Sequence, residues 1–331
     1  MRERLLTGIC LVLVLSTAGA AEDDARSWLE RMNRALATRN YDGTFFHLRN
    51  GKVETLRIIH RVDKGKVAER LVSLDSGREI VRNDKELTCY LPDQRRVLVE
   101  PRQDEGPLLG TLPDFDAAVT ENYKLEKLPP ARLLGRNAQV IAVNPNDAYR
   151  FGYRLWIDDE TALPLKTQLC DERGNVVEQV LFANITLPES IPMSAVRPQV
   201  DVRGLQWVKQ PAPTQGSAAV AQAWRAGKVP PGFRLTATNT QLMDGATSPV
   251  AHLVYSDGLA SVSVFIETRS PDREQLNGLA RVGSAFAFST TVRGHQVTAV
   301  GEVPAQTVQL IAHSTRPDVD AAVAGRAGRQ P

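Results

Sequence analysis

Neither sign of charge is in surplus: 40 lysines and arginines face 38 aspartates and glutamates, a formal net charge of +2. Without a global positive field, nucleic acid is excluded as the main partner. Cysteine is scarce, three in 331 residues, which excludes a disulfide-knit scaffold. The apolar stretch Leu5–Leu15 is too short to cross a bilayer as a stable helix. Gly-x-Ser-x-Gly, His-Glu-x-x-His and Gly-x-Gly-x-x-Gly are all missing, and the five histidines, His47, His60, His252, His295 and His313, stand singly. Neither a hydrolase elbow, a zinc site nor a dinucleotide fold is signalled.

What the chain does have begins at its N-terminus. Met1-Arg2-Glu3-Arg4, the apolar stretch and Ala18-Gly19-Ala20 ahead of Glu22-Asp23-Asp24 have the order of a secretory signal, read over residues 1–21. Cys10 lies inside the apolar core and reads as an ordinary core residue rather than a lipid-attachment site. Removing residues 1–20 takes away Arg2, Arg4 and Glu3, leaving 38 basic against 37 acidic residues. The mature chain is expected to work outside the cytoplasm, where no ATP or NAD pool exists, so neither a cofactor nor a metal is called for. An oxidising compartment leaves Cys89 and Cys170 open to a disulfide or to two buried thiols.

Trp28, Leu29, Met32, Ala35 and Leu36 recur at three- and four-residue spacing, which predicts an amphipathic helix over Asp24–Leu36 with aspartates at its positive end. A long β series follows: Thr44–Arg49, Val53–Val62, Val67–Leu74, Glu79–Arg82, Leu87–Leu91 and Arg95–Glu100, with turns at Asn50-Gly51, Lys64-Gly65 and Ser76-Gly77. A second helical piece is expected from Asp114, closed by Pro129-Pro130. Strands resume at Gln139–Val143, Tyr149–Asp158, Pro164–Cys170 and Val176–Thr186.

So many successive antiparallel strands must curl. The chain therefore reads as mainly β with α, residues 22–205 forming a curved antiparallel sheet over helices, an unclosed β-barrel with a concave apolar interior. Proline, glycine, serine and glutamine mark residues 206–223 as a linker. Residues 224–317 read as a smaller C-terminal α+β domain with strands at Phe233–Thr238, Val250–Tyr255, Ser261–Glu267, Phe286–Thr291 and Gln296–Val300 and helices at Arg273–Val282 and Ala305–His313. Residues 318–331 are expected as a disordered tail.

Alternation nominates Phe46, Leu56, Ile58, Val72, Leu74, Val97, Val99, Val143 and Leu155 as inward positions of a lipid cavity, where a slip of one residue exchanges the faces. Arg57, Arg61, Arg70, Arg95 and Arg96 crowd neighbouring strands and offer paired donors to an anion; ordinary charged strand faces are the alternative. Asp158-Asp159-Glu160 occupies a turn ahead of Pro164 and reads as solvated rather than as a calcium site. In the smaller domain Tyr255, Phe265 and Phe233 are candidate aromatic anchors for a partner; Phe233 and Phe265 also suit its core. Alanine at Tyr255 is expected to weaken partner binding and leave the thermal transition unchanged.

Several segments together resemble one family. These are Tyr41-Asp42-Gly43-Thr44-Phe45, Tyr153–Asp158 with Leu163-Pro164-Leu165-Lys166, Val229-Pro230-Pro231-Gly232-Phe233, Val254–Ala260 running into Ser263–Glu267, and Val300-Gly301-Glu302-Val303-Pro304. They resemble the RseB/MucB family of periplasmic sigma-E regulators over nearly the whole mature chain. The resemblance implies the unclosed barrel of the lipoprotein carriers LolA and LolB, a linker and a second domain. It also implies binding to the periplasmic part of an RseA/MucA-like membrane-spanning anti-sigma factor, protection of that segment from proteolysis, and release by lipopolysaccharide or lipoprotein acyl chains. The loop near Arg102–Asp116 and Cys170 depart from the family pattern. A lipid or lipoprotein carrier is the competing reading, a secreted hydrolase a third, and self-association is left open.

Overall fold

The computed structural model describes residues 17–101, 121–209, 224–241, 249–268 and 277–318 and, except for residues 17–23 and Gln241, their side chains. Helix α1 (Thr17–Thr38) includes Ala18-Gly19-Ala20; residues 1–16, most of the expected signal, lie outside the described residues. Its apolar stripe, Leu29, Met32, Ala35 and Leu36, is buried, as the spacing predicts, and Thr38 closes the last turn with a hydroxyl donated to the Arg34 carbonyl at 2.7 Å.

Twelve strands form the large sheet: β1 (Tyr41–Arg49), β2 (Lys52–Asp63), β3 (Lys66–Ser73), β4 (Glu79–Arg82), β5 (Glu86–Leu91), β6 (Arg96–Pro101), β7 (Tyr123–Leu133), β8 (Arg136–Pro145), β9 (Gly152–Asp158), β10 (Pro164–Cys170), β11 (Val176–Thr186) and β12 (Gln206–Lys209). Their order is β12-β6-β5-β4-β3-β2-β1-β11-β10-β9-β8-β7. The terminal strands β12 and β7 do not pair, so the sheet curls without closing. One core fills the space between α1 and this sheet, with Phe45, Ile58, Ile141, Val143, Leu155 and Phe182 among its members.

The smaller domain is a six-stranded antiparallel sheet of β14 (Arg234–Gln241), β15 (Val250–Ser256), β16 (Ser261–Thr268), β17 (Gly278–Val282), β18 (Ala285–Val292) and β19 (His295–Gly301), in the order β14-β15-β16-β19-β18-β17. Helix α2 (Ala305–Ser314) buries Val308, Ile311 and Ala312 against it. The short strands β13 (Trp224–Ala226) and β20 (Thr315–Pro317) pair beside the helix.

Three expectations are corrected, and the open question of the two cysteines is decided. Pro129-Pro130 does not end a helix but lies inside β7, where a bulge between Leu128 and Ala131 on the outermost strand accommodates two residues without N–H donors. The expected linker begins as a strand, because β12 pairs in parallel with β6 and Trp207 sets its ring edge-on to Tyr90. Gly278–Val282, expected as the end of a helix, is strand β17, turned back onto β18 at Gly283. Cys89 and Cys170 are free, with β4, β3, β2, β1 and β11 between their strands. The helix expected from Asp114, most of the linker and the tail beyond Asp318 lie outside the described residues.

Leu155 has no exposed surface, whereas Leu74 is 54% exposed. Leu155→Ala is expected to destabilise the protein by about 2–5 kcal/mol and Leu74→Ala by less than about 0.5 kcal/mol, read as shifts in urea unfolding at constant m-value.

Candidate binding surfaces and the domain junction

Cross-strand register sorts the cavity candidates by face. Ile58, Val143 and Leu155 point to the face that carries α1 and are completely covered. Leu56 lies on the same face, half-buried. The other five are misplaced by one residue or one strand end. Phe45, not Phe46, packs inward, and Phe46 is exposed on the opposite face. Leu71 pairs with Ile58, which turns Val72 outward beside Arg57. Val97 and Val99 pack on that outer face with Tyr90, Val81, Val200 and Leu205. Leu74 follows the end of β3 in the open.

The register instead draws one row across five strands: Ile58 opposite Leu71, then Ile80, Cys89 and Leu98. Only Ile58 is buried; the other four are half-buried. Sequence alternation is present in each strand, but parity between strands is not written in any single one.

The arginine patch is corrected as well. Arg57 donates to both Asp42 oxygens at 2.9 and 2.7 Å, and Arg70, buried, donates to both Glu79 oxygens at 2.9 and 2.8 Å. Arg61 is divided between the Ile191 carbonyl and Asp63, at 2.8 and 2.7 Å. Three of the five candidates thus spend their donors on the protein itself. Arg95 and Arg96 are exposed, Arg95 in a left-handed turn at φ 52°.

Two of the three aromatic candidates, Tyr255 and Phe233, are core residues rather than surface anchors. Tyr255 is buried in the smaller domain's core, and its hydroxyl accepts the Ala226 N–H at 2.6 Å. Phe233 belongs to the same core, and Phe265, half-buried, stacks on His252 with ring centroids 4.5 Å apart. Alanine at Tyr255 therefore disturbs the fold, contrary to the sequence-based expectation. A groove of about 830 Å³ lies elsewhere on this domain, along α2, lined by Lys228, Leu310, His313, Arg316 and Pro317 among others.

What the sequence did not reveal is how the two sheets join. Arg150, just ahead of β9, has no exposed surface. Its guanidinium donates to Asp147 Oδ1 and Oδ2 at 3.0 and 2.9 Å, to Asp257, and to the Pro231 carbonyl at 2.5 Å. Tyr123 and Phe233 rings flank it at 5.4 and 5.2 Å. Burial alone would lower the Arg150 pKa, but hydrogen bonds to Asp147 and the charges of Asp257 and Asp147 raise it. Burial, then the Asp257 charge, pushes the Tyr123 hydroxyl far up, so it remains a donor to Asp257 at 3.0 Å.

Asp257 opens the β15–β16 turn. Its Oδ1 accepts the Leu259 and Ala260 N–H groups at 2.9 and 2.7 Å, and Leu259 is delivered into the core beneath α1. At Gly232, φ +79°, any Cβ would collide with the Asn122 side chain, so a close approach of the two domains requires glycine there. Thr307 of α2 donates to the Tyr149 carbonyl at 2.7 Å. The segments that carry the family resemblance, around Pro231, Asp257 and Glu302, are the ones that dock; their clustering was the available signal.

Glu302 reaches the far end of the same face. Arg49 Nη2 lies 2.5 Å from Glu302 Oε1, and Arg49 Nε lies 3.5 Å from Glu178 Oε2. His47 Nε2 is 2.9 Å from Glu178 Oε1. Burial pushes Glu178 up, but the His47 hydrogen bond and charge, with Arg49 and Ser284, outweigh it and hold the carboxyl below its ordinary range. Burial first, then the Glu178 charge, pushes Glu302 above that range.

Removing Asp257 leaves the buried Arg150 cation undercompensated. Asp257→Ala is expected to cost about 3–5 kcal/mol in urea unfolding, and Tyr255→Phe about 1 kcal/mol for the hydrogen bond to Ala226.

Known relatives match along both units. The profile of the MucB/RseB N-terminal domain fits residues 24–200, and that of the MucB/RseB C-terminal domain fits residues 218–316. The chain is 34% identical over 326 residues to the sigma factor AlgU regulatory protein MucB of Pseudomonas aeruginosa, across 95% of this chain and 98% of that one. It is 28% identical over 319 residues to the sigma-E factor regulatory protein RseB of Escherichia coli, across 92% and 94%. Among solved structures, the Pseudomonas aeruginosa MucA/MucB complex aligns with a TM-score of 0.71 at 31% identity, over 89% of this chain and 99% of that one. A structure of MucB gives 0.62 at 32%, over 89% and 98%. With both family domains matched in order and a relative above 30% identity along nearly its full length, the chain belongs to the MucB/RseB family.

Proposed function

We propose that this protein is a periplasmic regulator of sigma-factor activity that grips the periplasmic segment of a membrane-spanning anti-sigma factor. Its grip shields that segment from proteolysis and is released by the acyl chains of lipopolysaccharide or mislocalised lipoprotein. The observation that carries the reading is the match of both domains to MucB, a protein solved in complex with the periplasmic part of MucA. The N-terminal signal pattern supports the location.

Two surfaces suit the two ligands. The half-buried row Leu71, Ile80, Cys89 and Leu98 offers acyl chains an apolar track on the concave side. The groove along α2, with Leu310 and Pro317 between Lys228 and Arg316, offers a peptide both apolar contact and hydrogen-bond donors. Coupling between such sites is reciprocal and typically of order 1–3 kcal/mol. The carrier reading lacks a use for the second domain.

Calorimetry of the mature chain against the periplasmic segment of the anti-sigma factor from the same genome tests the reading; no binding would sink it. Leu310→Asp is expected to reduce that affinity by more than about 1 kcal/mol. Truncation at residue 205 is a poor substitute, since it strips Leu259 from the larger core. Leu98→Asp is expected to lower lipopolysaccharide binding by about 1–2 kcal/mol in fluorescent-probe displacement, with peptide binding retained.

A further inference from the structure

Two carboxyl groups, one from each domain, meet at a single serine hydroxyl. Glu178 is on β11 and, directly opposite in register, Arg49 ends β1. From the smaller domain come Ser284, in the β17–β18 turn, and Glu302, just after β19. Ser284 Oγ is 3.2 Å from Glu178 Oε2 and also hydrogen-bonds Glu302 Oε1. Arg49 Nε donates to the same hydroxyl at 2.8 Å. One permanent cation thus serves two carboxyls brought together by docking. His47 and Tyr153 complete the surroundings: His47 faces Glu178 at 2.9 Å, and Tyr153 lines the small cavity shared by Glu178 and Glu302.

We propose that this cluster is a proton-dependent latch: docking of the smaller domain takes up a proton between Glu178 and Glu302, so mild acidification tightens the junction and alkaline conditions loosen it. The inference concerns docking alone and stands whether or not the anti-sigma reading holds.

The signs follow from the two carboxyls separately. Glu302 is raised on docking, by burial first and then by Glu178. Its contribution is full below the undocked carboxyl value and is lost as pH rises through the docked one. Glu178 is lowered, because His47, Arg49 and Ser284 outweigh its burial; its contribution is lost only as pH falls through that depressed value. Between the two lies a window in which Glu302 holds the proton and Glu178 keeps its charge for Arg49 and His47. The two carboxyls titrate as a pair, and the upper step belongs mainly to Glu302.

The test is a carboxyl-carbon NMR titration of the mature chain labelled at glutamate, with Glu302→Gln used to assign its signal. The expected result is a Glu302 midpoint above the ordinary carboxyl range that falls back toward it in Glu178→Gln, a residue of the other domain. A Glu302 signal that titrates as an ordinary exposed carboxyl overturns the proposal. So does a midpoint that ignores Glu178→Gln. Urea unfolding gives the second readout: from about pH 8 to about pH 5 the folded-to-unfolded ratio of the wild type should rise relative to Glu302→Gln. A constant ratio between the two proteins across that range overturns the latch.

Discussion

A guanidinium without exposed surface sits between the two sheets, and the arrangement of the molecule depends on satisfying it. Removing an ion from water costs several kcal/mol unless charge and hydrogen bonds replace the lost solvent. Asp147, three residues away, supplies part of what Arg150 needs. The rest comes from the other domain, as the Asp257 carboxylate and the Pro231 carbonyl. Docking thus buries the cation and supplies the acceptors that replace its water in the same step. The same Asp257 fixes the turn that inserts Leu259 into the first core, so charge compensation and apolar burial favour one and the same docked geometry.

That geometry divides the concave face into three territories. Helix α1 covers Ile141, Val143 and Leu155; the smaller domain covers the end where Arg49, Tyr153 and Glu178 lie; the row from Leu71 to Leu98 is left half-open. The territories touch. Ile58 belongs both to the row and to the core that receives Leu259, and Phe45 packs Phe182 with centroids 5.4 Å apart on the strand that also bears Glu178. Close-packed interiors yield by switching between discrete arrangements rather than by deforming smoothly. An acyl chain laid on the row would press on side chains that also seat the second domain, which gives the proposed release a physical route.

Much of this fold was legible because period-two alternation and glycine-bearing turns are local signals. Glu79–Arg82, Pro164–Cys170 and Val176–Thr186 appear in the structure with the bounds read from the sequence. Elements whose logic is tertiary were not legible. Pro129-Pro130 is compatible with a strand only because β7 is outermost and bulged. Gln206–Lys209 becomes a strand only because β6 offers a parallel edge. The same limit governed the sites: Val72 and Leu71 are equally apolar, and the choice between them is made by the partner strand. Arg150, read from the sequence as part of a strand over Tyr149–Asp158, looks like any charged strand residue until the second domain closes over it.

The misplaced arginine patch has a wider lesson for where this protein can recognise charge. On the large sheet the cations are consumed across strands: Arg57 by Asp42, Arg70 by Glu79, Arg82 by Glu69, with His60 also on Glu69. Such pairs satisfy polar groups that the curled sheet buries, and they leave a sequence with almost balanced charge. Those guanidiniums are poor anion sites, since one already bidentate to a carboxylate offers few further donors, whereas Arg95 and Arg96 stay exposed. Further cations, Lys228, His313 and Arg316, gather along one groove of the smaller domain, while the half-open row of the large sheet is apolar. The proposed apolar and polar surfaces thus lie on different domains, and the buried Arg150 contact is what ties the two together.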